Sequence, residues 1–280
     1  MRPGIFAKTF AGGSLEDCLD RVVASGVSAI QFNLALTGAA SLPDDVPAGP
    51  AAWVRNSVHT RGLEMVAVSG TYNMAHPDAA TRLHGLKSLE GVIAAAPALG
   101  TRVVTLCTGT RDPQDMWTWH PENSTAGAWV DTVGSVRAAV SVAVEHGVIL
   151  GFEPEHNNVV ADAMAGRRLL DEIESPHLKV VLDAANLIQP GELDRQAETM
   201  EQAFELLGDE LVLAHAKDVL DDGTIVAAGQ GGIDYGRYVS LLRQADYRGA
   251  IVLHGLAEDQ VADSVEFVRR HLDGEPAELG

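Results

Sequence analysis

Four ionisable residues fall at matching places in the second half of the chain. The apolar runs of LGFEPE, VVLDAAN, LAHAKD and IVLHGL each end in one of them: Glu153, Asp183, His215 and His254. Two carboxylates and two imidazoles converging on one cavity would be costly if left unpaired, whereas a divalent cation would use all four as ligands. The mixed oxygen and nitrogen donors suit Mn²⁺, Mg²⁺ or Co²⁺, and Zn²⁺ accepts the same set. Any one of the four alone reads more simply as a polar residue satisfied at a strand end. Their common phase is what suggests a shared site.

Strand alternation extends the set, because Glu155 and Lys217 lie two residues beyond Glu153 and His215 and so share their face. Glu155 reads either as a base or substrate contact or as an ion-pair partner of Lys217. As a general base Glu153 is the first candidate, with Glu155, Lys217 and His254 behind it. Asn157 and Asn158 can hydrogen-bond sugar hydroxyls, although asparagine pairs also form loops. The long segment TGTRDPQDMWTWHPENS carries Trp117, Trp119 and His120, which read as a lid or stacking wall for a polyol ring, or as packing on the barrel top. Asn73 and His76 in SGTYNMAHPD face the same mouth. GQGG, residues 229–232, lacks the lysine and serine of a phosphate loop and reads as a plain loop.

Eight apolar, β-branched runs precede or contain these groups: Ile5–Phe10, Ala29–Phe32, Met65–Val68, Val103–Cys107, Val148–Phe152, Leu178–Leu182, Leu211–Ala214 and Ala250–Leu253. Helical stripes lie between them, such as Trp129, Val133, Val136, Val140 and Val144, and later Val261, Val265, Val268 and Leu272. Gly26, Gly62, Gly100, Gly147 and Gly249 stand just before strands, where helices need a left-handed C-terminal residue. Ser14 with Asp17 reads as a capping box. Strands alternating with helices imply right-handed crossovers and a parallel sheet. Eight such units predict a single (β/α)8 barrel over residues 1–272, with a frayed tail at 273–280. A doubly wound open sheet is disfavoured because Gly12-Gly13 does not extend to a G-x-G-x-x-G fingerprint.

Apolar residues make up 46% of the 280 and charged ones 21%, a composition that supports a large core. The formal charge of −19 opposes nucleic-acid binding, since no local basic patch offsets it. Neither a leader-like apolar segment nor a run of eighteen apolar residues occurs, so membrane partners are not expected. Cys18 and Cys107 are too few for a disulfide framework, which suits a reducing cytoplasm. The sequence leaves homo-oligomerisation open.

With FEPE, VLDAANL and AHAKD as its most specific parts, the chain resembles the xylose isomerase-like TIM barrels over nearly its whole length. The resemblance is to the sugar isomerase/epimerase branch, which includes tagatose and psicose epimerases, hydroxypyruvate isomerase and inosose dehydratase. It implies one divalent metal held at the ends of the last four strands, and a small sugar, polyol or hydroxy-keto acid isomerised or epimerised through an enediolate. Glu153, Asp183 and His215 match three of the family's ligand positions. His254 stands where the epimerases have a glutamate that serves as one of two bases, and Asn186 replaces a substrate-contacting histidine. These departures admit two alternatives: a lyase of the inosose dehydratase kind, and a non-catalytic barrel that binds sugar or metal. The apurinic endonucleases of the same fold need further metal ligands that this chain lacks.

Overall fold

The computed structural model describes residues 1–274. Among the described residues, ten strands and nine α-helices follow the expected alternation. The strands are β1 (Arg2–Phe6), β2 (Ala29–Phe32), β3 (Glu64–Ser69), β4 (Val103–Cys107), β5 (Ile149–Glu153), β6 (Leu178–Leu182), β7 (Leu211–Ala216), β8 (Asp218–Val219), β9 (Ile225–Val226) and β10 (Ala250–Leu253). The helices are α1 (Leu15–Ala24), α2 (Ala48–His59), α3 (Ala79–Leu99), α4 (Ala126–His146), α5 (Ala163–Ile173), α6 (Ala184–Leu187), α7 (Gln196–Leu207), α8 (Tyr235–Gln244) and α9 (Val261–Asp273). Strands β1 to β7 pair side by side, and β10 closes the circle between β7 and β1, giving a closed eight-stranded parallel barrel. Strands β8 and β9 form a small antiparallel ribbon above the end of β7. The tail expected to fray lies, beyond Gly274, outside the described residues. No described helix is long and apolar enough to cross a membrane.

The barrel's period of two sets what reaches its interior. Along β5, Leu150 and Phe152 are fully buried in the shell between sheet and helices, while Gly151 and Glu153 point inward. Ala29, Ala67, Val181, Leu213, Ala250 and Val252 form a separate small apolar cluster that plugs the barrel's lower half. Each of Ala29, Ala67, Val181, Leu213 and Val252 sits two residues before a polar residue. That plug is therefore the floor on which Gln31, Ser69, Asp183, His215 and His254 stand.

Local chemistry follows the sequence at most ends. Ser14 Oγ accepts the Asp17 N–H and Asp17 Oδ2 accepts the Ser14 N–H, completing the capping box of α1. Of the five glycines expected to close helices, Gly249 alone lacks a positive φ. Asp246, at φ +55°, takes the left-handed position after α8 instead. The first strand also differs from its expected range. It begins at Arg2 and stops at Phe6, and Ala7–Phe10 form a 3₁₀ turn. Ala7 and Phe10 are three apart, the spacing that shares one face in such a turn, and both are buried. On α4 the expected stripe is buried except Val144, which is exposed in the last turn.

Candidate active site

A cavity of about 450 Å³ opens at the C-terminal mouth of the barrel, within the range of small-molecule sites. Its walls come from residues in two inward-facing layers. Phe6, Gln31, Ser69, Thr105, Glu153, His215 and His254 form the lower one. Two residues further along their strands, Lys8, Asn33, Thr71, Cys107, Glu155 and Lys217 form the upper one. Other hollows of about 520 and 570 Å³ lie beside α2 and at the N-terminal face. Neither brings several acids and imidazoles together.

Glu153, Asp183 and His215 offer ligand atoms that all lie within 4.8 Å of one another. Asp183, only 1% exposed, caps α6 through Oδ1, which accepts the Ala185 N–H at 3.0 Å. Its other oxygen, Oδ2, is buried without a hydrogen-bond partner. An orphaned carboxylate oxygen beside a second carboxylate and an imidazole suits a divalent cation. Lys217 Nζ stands 3.5 Å from Asp183 Oδ2 and 3.9 Å from Glu153 Oε1, supplying partial neutralisation. His254 falls outside this compact group. Its ring is stacked between Phe6, at 5.1 Å between centroids, and His215, at 5.4 Å, and its Nδ1 is buried and unpaired.

The two glutamates have different surroundings. Burial pushes both carboxyls up, but at Glu153 the adjacent His215 and Lys217 outweigh it and hold that group well below the usual carboxylate range. Its Oε1 also accepts the Asn186 amide at 2.6 Å and lies 3.3 Å from His215 Nδ1. At Glu155 burial prevails, and the carboxyl is pushed up to about 7. One of its oxygens accepts the Asn158 amide at 3.0 Å, and the residue lines the cavity. Burial likewise raises Asp183, against the pull of Lys217. It also drives His254 well below the usual histidine range, with Lys217 adding to the effect. The carboxylates around Lys217 outweigh its burial and keep the ammonium charged. Burial holds the Cys107 thiol far above its ordinary value, and its S–H donates to Asn158 Oδ1, so it is no nucleophile.

Of the expected substrate contacts, Trp117 reaches the cavity and is 52% exposed there. Asn186 is buried against Glu153. Asn73, His76, His120 and Asn157 are not among the cavity's lining residues and brace loops instead. Asn73 Oδ1 accepts the Thr110 N–H at 2.9 Å. His76 Nδ1 accepts from Asp78 N at 3.0 Å, and His120 Nδ1 accepts from Glu122 N at 3.2 Å. The Asn157 carbonyl accepts the Asn123 amide. Asn73, His76 and His120 thus spend side-chain acceptors on backbone N–H groups of the loops.

Sequence reasoning missed Gln31, Ser69 and Thr105, which are uncharged and sit in the first half of the barrel. The signal was present in strand phase: each occupies the inward position two residues after Ala29, Ala67 or Val103.

Solved structures with the same architecture include the 3-keto-D-glucoside 4-epimerase YcjR from E. coli. It is 19% identical with a TM-score of 0.74, covering 96% of this chain and 99% of that one. D-psicose 3-epimerase from Clostridium cellulolyticum H10, solved with D-tagatose, is 17% identical with a TM-score of 0.72, covering 97% and 99%. The IolI protein, solved with a zinc atom, is 15% identical with a TM-score of 0.73, covering 99% and 100%. At such identities these likenesses speak to fold. No curated protein matches the sequence. The family model described as xylose isomerase-like TIM barrel matches residues 19–271. The closed parallel barrel and this match together establish that the chain belongs to the xylose isomerase-like TIM barrel family.

Proposed function

We propose that the chain is a divalent-metal-dependent isomerase or epimerase acting on a small sugar, polyol or hydroxy-keto acid through an enediolate. The observation that carries this reading is the triad of Glu153, Asp183 and His215, two of which line the 450 Å³ cavity, with one buried Asp183 oxygen left without a hydrogen bond. Those three residues would hold the ion. Mn²⁺, Mg²⁺ and Co²⁺ suit the donors, and the zinc in IolI adds Zn²⁺ to the metals worth testing. When bound, the cation supplies Lewis-acid polarisation of a carbonyl and its neighbouring hydroxyl.

The chain's own residues divide the remaining work. Glu153 is committed to Asn186, His215 and Lys217, so its role is to bind. Glu155 has one oxygen anchored by Asn158 and lines the open cavity, which fits it to take a proton from the carbon beside the carbonyl. This departs from the expectation that Glu153 would be the base. Lys217 is positioned to donate a hydrogen bond to an oxygen on which negative charge develops. Trp117 would cover the ring and exclude water.

A second reading draws on His254. Stacked between two rings and held without charge, it offers no carboxylate for a second base. One base paired with an ammonium acid suits elimination of water as well as proton relocation. Proton NMR in D₂O, on metal-loaded enzyme with a panel of ketoses, hydroxy-keto acids and inososes, separates the two. Solvent deuterium appearing at carbon without loss of mass is expected for the isomerase or epimerase; loss of water identifies the lyase. Absence of both across the panel, in protein that holds metal, contradicts the catalytic account and favours a barrel that only binds.

A further inference from the structure

A metal-ligating imidazole must present an unprotonated nitrogen, so its single proton has to rest on the other one. At His215, Nδ1 lies 3.3 Å from Glu153, one of the two carboxylates of the triad. Nε2 lies on the opposite edge of the ring, 2.8 Å from Gln31 Oε1. Gln31 comes from β2, on the other side of the barrel, and is only 3% exposed. Its amide nitrogen donates to Thr105 Oγ1 of β4 at 3.2 Å. With its nitrogen committed to Thr105, the amide turns its oxygen toward His215.

The geometry points to Gln31 as a positioning residue: it accepts the His215 Nε2–H, keeps that nitrogen protonated, and so leaves Nδ1, on the Glu153 side of the ring, as the nitrogen free to ligate an ion. The stacked ring of His254 restrains the same imidazole from its face, while Gln31 restrains it from its edge. Removing the acceptor leaves two poor choices: a buried N–H without a partner, or a proton moved to Nδ1, where it blocks the ligand lone pair. Outer partners of this kind typically change metal affinity about 10- to 100-fold. The metal half of this inference rests on the reading of the triad above; the tautomer half does not.

The test combines ¹⁵N-histidine NMR on the metal-free protein with Zn²⁺ titration, Zn²⁺ being diamagnetic. In the wild type, a slowly exchanging proton on His215 Nε2, correlated with Gln31, is expected. A proton-free Nε2 overturns the inference whatever the metal results. In Gln31→Met that proton should exchange quickly or move to Nδ1, and Zn²⁺ affinity should fall about 10- to 100-fold. Gln31→Glu, which keeps an acceptor oxygen, should restore both readouts to near wild type. Unchanged affinity and tautomer in a folded Gln31→Met also overturn the inference, while leaving the metal site intact. A wild type that takes up no Zn²⁺ counts against the metal reading alone. If Gln31→Met does not fold, the wild-type and Gln31→Glu spectra decide.

Discussion

At the residue scale the site is a contrast between two carboxylates two positions apart. Glu153 is surrounded by His215, Lys217 and Asn186 and stays ionised; Glu155 has a single anchoring amide and an open cavity before it. Replacing each by its amide should therefore give different failures. Glu155→Gln is expected to keep metal affinity and lose about 10²- to 10⁴-fold in turnover, the usual contribution of a positioned base. Turnover within a few-fold of wild type would remove Glu155 from the chemistry. Chemical type made Glu153, Asp183 and His215 legible in the sequence, because ionisable groups directly after apolar runs are costly to bury unpaired. Gln31 and Thr105 carry no such flag. An amide and a hydroxyl occur in many strands, and only their shared inward phase marks them.

At the element scale the loops above the barrel are tied together at Gly109, just beyond β4. Its N–H donates to Asn158 Oδ1 and its carbonyl accepts from Val159 N at 2.8 Å. Its φ is +79°, and a Cβ there would come within 2.1 Å of Asn73 Oδ1 and 2.9 Å of Met74 N. Gly109→Ala must therefore strain its own backbone and push the Asn73 and Asn158 loops apart. We expect a loss of about 2 kcal/mol or more by denaturant titration and faster proteolysis between residues 110 and 125. Turnover should fall too, because Asn158 anchors Glu155. Wild-type stability would show that this glycine is dispensable. None of this could be read from TGTRDPQ, since the contacts join segments over thirty residues apart. The regular elements were easier: runs of β-branched residues marked all eight barrel strands. Arg2 and Pro3 escaped because neither resembles the interior of a strand, although the parallel register with Ala250 and Ile251 holds both.

At the scale of the whole molecule, a small apolar plug fills the lower half of the barrel and leaves the upper half to polar groups. Because the proposed ligands come from β5, the end of β6 and β7, an ion bound among them would link three consecutive units and stabilise the native state by mass action. At a free concentration 100 times its Kd the gain is about 2.7 kcal/mol, which for a chain this long raises Tm by about 4 to 5 °C. The shift should vanish in Asp183→Asn; an equal shift in that variant would place the ion elsewhere on this acidic surface. The most direct measurement is calorimetric titration of Mn²⁺, Co²⁺ and Zn²⁺ into the metal-free protein. One tightly bound ion per chain is expected, lost in folded Glu153→Gln and Asp183→Asn and retained in Glu155→Gln. A wild type that binds none of these ions, or amide variants at 153 and 183 that bind as tightly as wild type, would contradict the account.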